Sequence, residues 1–416
     1  MLIGRGREHG TGYCRRKNMR KFRKFAALVM GMAMAGTLLG GCSGTPKQET
    51  KQEGQQETAA KAESGSAGNG ETAAQGQEEV GGVSLEGVRI IHLISNTRGD
   101  GGNHDMAAKA VEKMRDEYGA EIKIVEMGNS SADVAKYLPT TLDACEDGWE
   151  YVVCGSAQMV EPVQEAAKEY PEVKFIVYDA EITRSQEGEL ANVYSALFKQ
   201  NESSYLAGIL AMGMSDTGKV GFIGGQEIPT INDFLVGYIA GARSVKEDAV
   251  VYNSFIGSWN DLAKAKELAD IQYQQGASLI FPAAGQAYAG IYEAGFEQQK
   301  MYLGCDVDRT LQYESNNPEM NNYMPTSVIK RVDTFVENSF QRIMAGENIF
   351  GIHEAVGLKE DCVGLVENSY YEKLVPEDVK KQIKEAYSQI VDGTVEVPSA
   401  FGMDQNQLNE FIGDNH

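Results

Sequence analysis

The sequence predicts an α/β fold of two Rossmann-like lobes joined by a hinge. Short apolar runs alternate with segments of helical periodicity over roughly 320 residues, enough for two domains of ordinary size. This strand–helix series restarts near residue 204, and the loops after its strands are polar or rich in glycine. Such alternation is typical of βαβ units and parallel sheets, so two lobes of similar build are expected.

The residues before this region have the features of a secretory leader. A basic cluster precedes an apolar run, residues 25–39, and Gly40-Gly41-Cys42 follows. A basic segment, a short apolar segment and small residues before a cleavage point form a signal peptide. We therefore expect residues 1–41 to be a signal peptide, with Met19 as an alternative start. The segment ending in Cys42 resembles a bacterial lipobox, which implies lipidation of Cys42; a simple cleaved signal with an incidental cysteine is the alternative.

A low-complexity segment separates this leader from the lobes. It consists mainly of Gly, Gln, Glu, Lys, Ser, Ala and Thr, and it contains no aromatic residue. Such a composition cannot bury enough apolar surface to offset the entropy lost on ordering. We expect residues 42–86 to form a disordered linker that follows the lipidated cysteine.

Composition narrows the class of function. The formal net charge of −22 argues against a nucleic-acid partner, because phosphate binding needs a basic face. The four cysteines beyond the leader form no CxxC pair and have no matching histidine spacing, so no metal site is expected. They are Cys145, Cys154, Cys305 and Cys362. A disulfide among them and four buried thiols both remain open. No P-loop, nucleophile elbow, HExxH or dinucleotide fingerprint is present, so no cofactor is expected.

In the first lobe, short apolar runs predict strands and apolar residues at helical spacing predict helices. The predicted strands are 88–94, 122–125, 151–154 and 175–178, and the predicted helices are 107–118, 132–145 and 160–169. In the second series, the predicted helices are 204–215, 234–245, 262–274 and 328–345, and the predicted strands are 219–225, 250–256, 279–281 and 302–305. Lobe I is expected at 87–198 plus 306–345 and lobe II at 199–305 plus 346–404, followed by a C-terminal tail at 405–416. Chain crossings are expected near 196–203, 306 and 346–352.

The predicted strands end in polar loops where ligand contacts are expected. In parallel α/β sheets, the loops at the carboxyl ends of the strands hold the ligand. Six such loops are polar or glycine-rich: 96–105, 155–158, 179–182, 224–234, 284–290 and 306–308. Their convergence predicts a cleft between the lobes that holds a small polar molecule.

Several segments carry a resemblance to a known family. They are Gly99-Asp100-Gly101-Gly102-Asn103-His104-Asp105, Glu202 to Gly208, Gly224-Gly225 through Phe234 to Gly241, Phe281 to Gly285, Gly304 to Asp308, and Thr326 to Asp333. In this order they resemble the basic membrane protein family of substrate-binding lipoproteins, over residues 88–365. The resemblance implies a type I periplasmic-binding-protein fold and a monomeric lipoprotein on the extracytoplasmic face of the cell membrane. It also implies an ABC importer permease as partner and a nucleoside, above all a purine nucleoside, as ligand.

The resemblance implies ligand-binding roles for five residues. Phe234 matches the aromatic residue that stacks on the base, and Asp179 matches the acid that accepts hydrogen bonds from it. Asp306 matches the carboxylate that binds the ribose, Lys330 matches a lysine that donates to that ribose, and Gly285 allows close approach of the ligand. Each residue also has a purely structural interpretation: a core aromatic, a helix cap, a turn or a surface lysine.

The first loop departs from the family pattern. Asn103 stands where a second stacking phenylalanine is usual, and His104 stands where an asparagine usually binds the base. Loss of that aromatic leaves open whether the ligand is a purine nucleoside, and the imidazole is expected to stack or to hydrogen-bond instead. Asn96, at the start of the same loop, is also expected to contact the ligand.

Two other classes of function are compatible with these residues. A surface enzyme that processes nucleosides could draw acid–base or metal chemistry from five aspartates at the strand ends. These are Asp100, Asp105, Asp179, Asp306 and Asp308. A sensor that signals to a membrane receptor would have the same two lobes, so the sequence does not separate sensing from transport. A binding protein without catalytic residues is the preferred interpretation.

Overall fold

The computed structural model describes residues 83–99, 101–128, 130–186 and 188–413. The expected signal peptide, Cys42 and most of the expected linker lie outside the described residues. Within this described part of the chain, no helix combines the length and the apolar character needed to cross a membrane.

Helices and strands alternate along the described chain. The first series is β1 (Arg89–Ile94), α1 (Asn103–Tyr118), β2 (Glu121–Glu126), α2 (Ser131–Val134), α3 (Tyr137–Glu146), β3 (Tyr151–Gly155), α4 (Val160–Glu169), β4 (Lys174–Tyr178) and β5 (Val193–Phe198). The second is α5 (Gln200–Gly213), β6 (Lys219–Gly224), α6 (Pro229–Val245), β7 (Val250–Phe255), α7 (Leu262–Gln274), β8 (Leu279–Ala283), α8 (Tyr288–Gln298) and β9 (Met301–Tyr302). The remainder is β10 (Gly304–Asp306), α9 (Thr310–Glu314), β11 (Ser327–Lys330), α10 (Val332–Met344), β12 (His353–Val356), β13 (Val363–Leu365), α11 (Ser369–Leu374), α12 (Glu377–Val391) and α13 (Gln405–Ile412).

Two parallel sheets form the centres of the two lobes. The first has the strand order β12-β5-β4-β3-β1-β2, and the second has the order β7-β6-β8-β9. All their paired strands run parallel, with β1 in register from Arg89 opposite Glu121 to Ile94 opposite Glu126. Strands such as β3 and β8 are almost wholly buried, as expected for parallel strands covered by helices on both faces.

A small third sheet joins the lobes. Its strand order is β10-β11-β13, with β11 parallel to β10 and antiparallel to β13. The chain passes from β5 into α5 at the first crossing, and the amide N–H of Lys199 there donates to the carbonyl of Val356 (2.8 Å). A continuous apolar core extends through residues of both sheets and of this connecting region. The connecting strands are thus part of the packed core and form the hinge.

The structure corrects the predicted helix at 328–345. Its first residues form strand β11, whose backbone pairs with β10 and β13, and the helix α10 begins only at Val332. The apolar residues in this segment fit the spacing of a helix as well as that of a strand. Only pairing with the neighbouring strands determines which of the two forms. The helix predicted at 132–145 is likewise two helices, α2 and α3.

Two C-terminal assignments also change. Residues 346–404 were expected in lobe II, but β12 pairs in parallel with β5 of the first sheet, so the third crossing follows Val356. Residues 405–416 were expected to be a tail, but 405–412 form α13, with Leu408 and Ile412 buried. Asp404 and Gln407 form a capping box at its start, and Arg243 of α6 donates to its last carbonyls. The rest of the predicted division into lobes remains a proposal.

Candidate functional site

The carboxyl ends of both parallel sheets border two adjoining cavities. The inner chamber, of about 230 Å³, is lined by residues that include Asn103, Asp179, Phe234, Trp259, Asp306 and Lys330. The outer cavity, of about 670 Å³, is lined by residues that include Asn96, His104, Gln158, Gln226, Asn260 and Arg309. The two cavities share several lining residues, among them Ser156, Trp259 and Gly285. The outer volume falls within the range of about 300–1,000 Å³ that is usual for small-molecule sites.

The structure brings the predicted ligand-binding residues together. Six of them line the inner chamber: Phe234, Asp179, Asp306, Lys330, Gly285 and Asn103. The other two, Asn96 and His104, line the outer cavity. Their placement gives them a shared cleft, and their roles in binding remain predictions. The predicted lipidation site, Cys42, lies outside the described residues.

A buried ion pair lies at the wall of the inner chamber. The ammonium of Lys330, at the end of β11, donates to Asp179 Oδ2 at 2.9 Å, and Asn103 Nδ2 donates to the same oxygen at 3.1 Å. Lys330 is only 3% exposed. Burial alone would lower the pKa of Lys330, but the carboxylates of Asp179 and Asp306 outweigh this effect and raise it. The lysine is therefore charged, and its charge is already balanced.

Two acceptor atoms next to this ion pair have no partner. Among the described residues, neither Asp179 Oδ1 nor Asn103 Oδ1 is within hydrogen-bonding reach of a donor, and both atoms are buried. Leaving a buried polar atom unpaired costs about 1–3 kcal/mol. Since Asn103 must direct its NH₂ group at the carboxylate, the orientation of its amide is fixed. Both residues line the inner chamber, so their unpartnered oxygens are the candidate acceptors for a ligand that carries N–H or O–H donors.

Phe234 contributes an aromatic ring to the same chamber. It lies in the second turn of α6, which begins at Pro229 and follows β6. Its ring meets Phe281 edge-on at 5.9 Å, and Lys330 Nζ lies 5.9 Å from its centroid. The residue is 3% exposed, so most of the ring is covered by the protein. The structure therefore places Phe234 both in the packed core and at the chamber wall.

A buried polar network lies behind His104. The hydroxyl of Tyr178 is 2.8 Å from His104 Nδ1 and 3.1 Å from His92 Nε2. Burial lowers the pKa of His92 to about 3 and that of His104 to about 4, so both rings are neutral at pH 7. One hydroxyl donates to only one of the two rings and accepts from the other.

The tautomers of this network follow from one unpartnered atom. Within the described chain, His92 Nδ1 is buried and has no hydrogen-bond partner. A proton on His92 Nδ1 would be a buried donor without an acceptor. The favoured tautomer of His92 therefore carries its proton on Nε2, which donates to the hydroxyl of Tyr178. Tyr178 then donates to His104 Nδ1, and His104 carries its proton on Nε2. His104, which lines the outer cavity, is therefore a hydrogen-bond donor through Nε2.

The backbone is strained at three positions around the cleft. Ser156, Asp179 and Asp306 have φ values of 76°, 54° and 70°, in the left-handed region that non-glycine residues rarely adopt. Residues in such conformations cost of order 1–3 kcal/mol each and concentrate at functional sites. All three directly follow or end a strand, and all three line the cleft cavities.

The sequence analysis missed Trp259, which lines both cavities. This residue lies in the loop after β7, the one strand end of the second lobe whose loop was not considered. The rule that loops at the carboxyl ends of parallel strands hold the ligand applies equally to β7. The sequence could therefore have predicted that the loop with Trp259 borders the cleft.

Some carboxylates considered for catalysis have structural roles instead. Asp105 accepts hydrogen bonds from the amides of Gly99 and Gly101, at 3.0 and 2.7 Å, and so holds the first loop. Asp308 accepts from the amide of Thr310 at 3.0 Å and from the side chain of Asn368 at 3.1 Å. Asp100 lies outside the described residues. Within the part of the chain that the structure describes, no group of three or more potential ligands is arranged to hold a metal ion.

Comparison with known proteins identifies related sequences. A family model described as "ABC transporter substrate-binding protein PnrA-like" matches residues 88–400. The chain is 31% identical over 282 residues to an ABC transporter nucleoside-binding protein of Lactococcus lactis subsp. cremoris, covering 65% of this chain and 76% of that protein. It is 28% identical over 330 residues to basic membrane protein A of Borreliella afzelii, covering 78% of this chain and 95% of that protein.

Solved structures show the same fold. An ABC transporter solute-binding protein from Aeropyrum pernix K1 superposes with a TM-score of 0.65 at 22% identity, covering 77% of this chain and 95% of that chain. The described chain therefore has the type I periplasmic-binding-protein fold, with two Rossmann-like lobes joined by a hinge, as predicted from the sequence.

Proposed function

This chain belongs to the family of PnrA-like ABC transporter substrate-binding proteins, and we propose that it binds a nucleoside, preferentially a purine nucleoside, in the cleft between its lobes. The family consists of binding proteins that supply transporters, rather than enzymes. The related protein from Lactococcus lactis is named a nucleoside-binding protein, which supports the same class of ligand for this chain.

The observation that carries this proposal is the charge balance of the inner chamber. Among the described residues around it, Lys330 is paired with Asp179, and the guanidinium of Arg309 lies 4.0 Å from the carboxylate of Asp306, so two cations balance two carboxylates. A phosphorylated or carboxylate ligand would find no uncompensated cation among these four residues, and burying its charge in a region of low dielectric would cost free energy. A neutral ligand with several donors suits the unpartnered acceptors of Asp179 and Asn103.

Each part of a nucleoside has a suitable partner in the cleft. The ring of Phe234 offers an apolar surface to a planar base, and the acceptors of Asp179 and Asn103 suit its N–H groups. The carboxylate of Asp306, whose side chain is 25% exposed, suits the two vicinal hydroxyls of a ribose. The donor on His104 suits a ring nitrogen or carbonyl oxygen of the base.

Binding between two lobes fits a role in transport. A ligand that contacts both lobes favours their closed arrangement, because only that arrangement makes both sets of contacts. We propose that the permease of an ABC importer recognises the closed form. We also propose that the protein acts as a monomer, held to the extracytoplasmic face of the membrane by lipid on Cys42.

A thermal-shift screen tests the proposed ligand class. Purified protein is heated with adenosine, guanosine, inosine, uridine, ribose or guanosine monophosphate. Purine nucleosides are expected to raise the melting temperature, because a ligand that binds only the folded state stabilises it by RT ln(1 + [L]/Kd). Ribose and the nucleotide are expected to have little effect. No shift with any nucleoside would contradict the proposal.

Chromatography of the same mixtures separates binding from catalysis. After prolonged incubation, the nucleoside is expected to be recovered intact. Release of free base would instead show that the cleft breaks the glycosidic bond.

A further inference from the structure

We propose that Trp259 is the exposed stacking surface of the cleft and takes the place of the aromatic residue missing from the first loop. The inference rests on the proposed function, because it concerns how the base of a nucleoside is held. It assigns a specificity-determining role to a residue outside the segments that carry the family resemblance.

Exposure distinguishes Trp259 from the other aromatic ring of the chamber. Phe234 is 3% exposed, the ring of Phe281 packs edge-on against it, and the ammonium of Lys330 lies 5.9 Å from its centroid. Trp259 is 37% exposed and lines both the inner chamber and the outer cavity. The exposed indole leaves a large apolar surface in contact with water inside the cleft. A planar ligand that stacks on the indole would cover this surface.

Two glycines hold the indole in this position. A Cβ atom at Gly225 would lie 2.4 Å from Trp259 Cε3, and a Cβ atom at Gly285 would lie 3.3 Å from the same carbon. The six-membered ring therefore packs against the backbone at the ends of β6 and β8. Gly285 was expected to allow close approach of the ligand; in the structure it allows close approach of Trp259. Its φ of 55° also favours glycine.

The backbone of the loop is fixed as well. The carbonyl of Trp259 accepts a hydrogen bond from the amide of Ala287 at 2.9 Å, in the short turn after β8. A ring that is held in place before binding loses little conformational entropy when a base stacks on it. Asn103, the residue at the usual position of the second aromatic, instead hydrogen-bonds to Asp179. The first lobe thus supplies Asn103 and Asp179, and the second lobe supplies the aromatic surface.

Tryptophan fluorescence tests this assignment directly, because the chain contains only two tryptophans. The other one, Trp149, is 5% exposed in the core of the first lobe. In the Trp149→Phe variant, emission therefore reports on Trp259 alone. Guanosine is expected to change this emission and to protect the indole from quenching by acrylamide, whereas ribose is expected to do neither.

Affinity measurements complete the test. Trp259→Ala is expected to weaken guanosine binding about 5- to 150-fold, the range that base–aromatic stacking gives, and Trp259→Phe is expected to retain most of the affinity. Tyr387→Ala, which truncates an aromatic residue of α12 that is 41% exposed and does not line either cavity, is the control.

The outcomes separate this inference from the proposed function. If guanosine stabilises the wild-type protein but leaves the emission, the quenching and the affinity of Trp259→Ala unchanged, the stacking role is wrong and the nucleoside proposal stands. If no nucleoside stabilises the wild-type protein, the proposed function fails, and the inference fails with it.

Discussion

At the residue scale, the ion pair between Lys330 and Asp179 determines the character of the inner chamber. Two opposite charges inside a protein stabilise each other only when both are present, and removal of one leaves the other uncompensated. The pair also fixes the amide of Asn103, whose donor is directed at Asp179 and whose acceptor has no partner among the described residues. The chamber is thus organised before a ligand arrives.

Lys330→Met is expected to lower the free energy of unfolding at pH 7 by about 3 kcal/mol, because Asp179 would be left buried without its cation. Urea denaturation measures this change. The double variant with Asp179→Asn is expected to recover part of the loss, since both charges are then absent. Equal stability of Lys330→Met and the wild-type protein would show that the charges of Lys330 and Asp179 do not stabilise each other.

Phe234→Ala is expected to weaken nucleoside binding by about 1–3 kcal/mol if a base stacks on this ring. Isothermal titration calorimetry with guanosine gives the affinity. Leu235→Ala is the matched control, because it removes a fully buried side chain from the same helix without touching the chamber. Wild-type affinity in Phe234→Ala would remove this residue from the binding site.

His104 is expected to make stability depend on pH. Its pKa falls from about 6.5 in the unfolded chain to about 4 in the folded protein, because burial disfavours the charged ring. Its contribution is therefore fully present above pH 6.5 and is lost as the pH falls towards 4. The slope is about 1.4 kcal/mol per pH unit.

Comparison with the His104→Asn variant cancels the contribution of titrating groups that His104 does not perturb; His92, whose pKa is lowered by burial and further by His104, is not one of them. Asp233 acts in the opposite direction, because burial raises its pKa to about 6 and its ionisation costs stability as the pH rises. The difference in unfolding free energy between wild type and variant is expected to fall by roughly 3 kcal/mol from pH 6.5 to 4. A difference independent of pH, measured by urea denaturation, would contradict the assignment.

The sequence was informative about single residues where the family pattern applies. Phe234, Asp179, Asp306 and Lys330 line one chamber, as the resemblance implied. The pairing of Lys330 with Asp179 was not predicted, because it depends on the relative position of β11 and β4, and the sequence contains no such distance.

At the element scale, the close approach of α5 and α6 shapes the second lobe. A Cβ atom at Gly241 would lie 2.0 Å from the carbonyl oxygen of Tyr205, and one at Gly237 would lie 2.2 Å from that of Asn201. The backbones of α5 and α6 are therefore in direct contact where these helices cross. The same packing fixes α6, and with it Phe234, relative to the crossing at the start of α5.

Gly241→Ala is expected to destabilise the protein by about 1–3 kcal/mol, because backbone atoms cannot move aside as a flexible side chain would. Helix propensity alone would favour alanine by about 1 kcal/mol, so a loss of stability shows that the steric cost dominates. Gly364→Ala is the control, since its nearest neighbour would be a side-chain atom at 3.5 Å. Unchanged denaturation of Gly241→Ala would contradict the packing.

Elements with a single clear periodicity were the easiest to predict. Buried parallel strands such as β4 are continuous apolar runs, and α4 has a distinct apolar face. Strand β11 was taken as part of a helix because the apolar residues of its segment fit the spacing of a helix as well as that of a strand. Helix α13 was missed because its eight residues are mostly polar and are stabilised by a cap and by α6.

At the scale of the whole molecule, two lobes of similar build were evident from the restart of the strand–helix series. The third crossing was placed too early in the chain, because β12 is short and pairs with a strand about 160 residues away, His353 opposite Ser195. Pairing over such separations depends on the assembled sheet rather than on local sequence. The small connecting sheet was not predicted for the same reason.

The proposed function requires that one ligand molecule occupies the space between the lobes. The charged groups of the inner chamber come from the first lobe and the connecting sheet, and its aromatic rings come from the second lobe. A crystal structure of the protein with guanosine tests this most directly. We expect the base in the inner chamber, within reach of Asp179 and in contact with Trp259, and the ribose hydroxyls on Asp306. Guanosine bound outside this cleft, or density for separated base and ribose, would contradict the account.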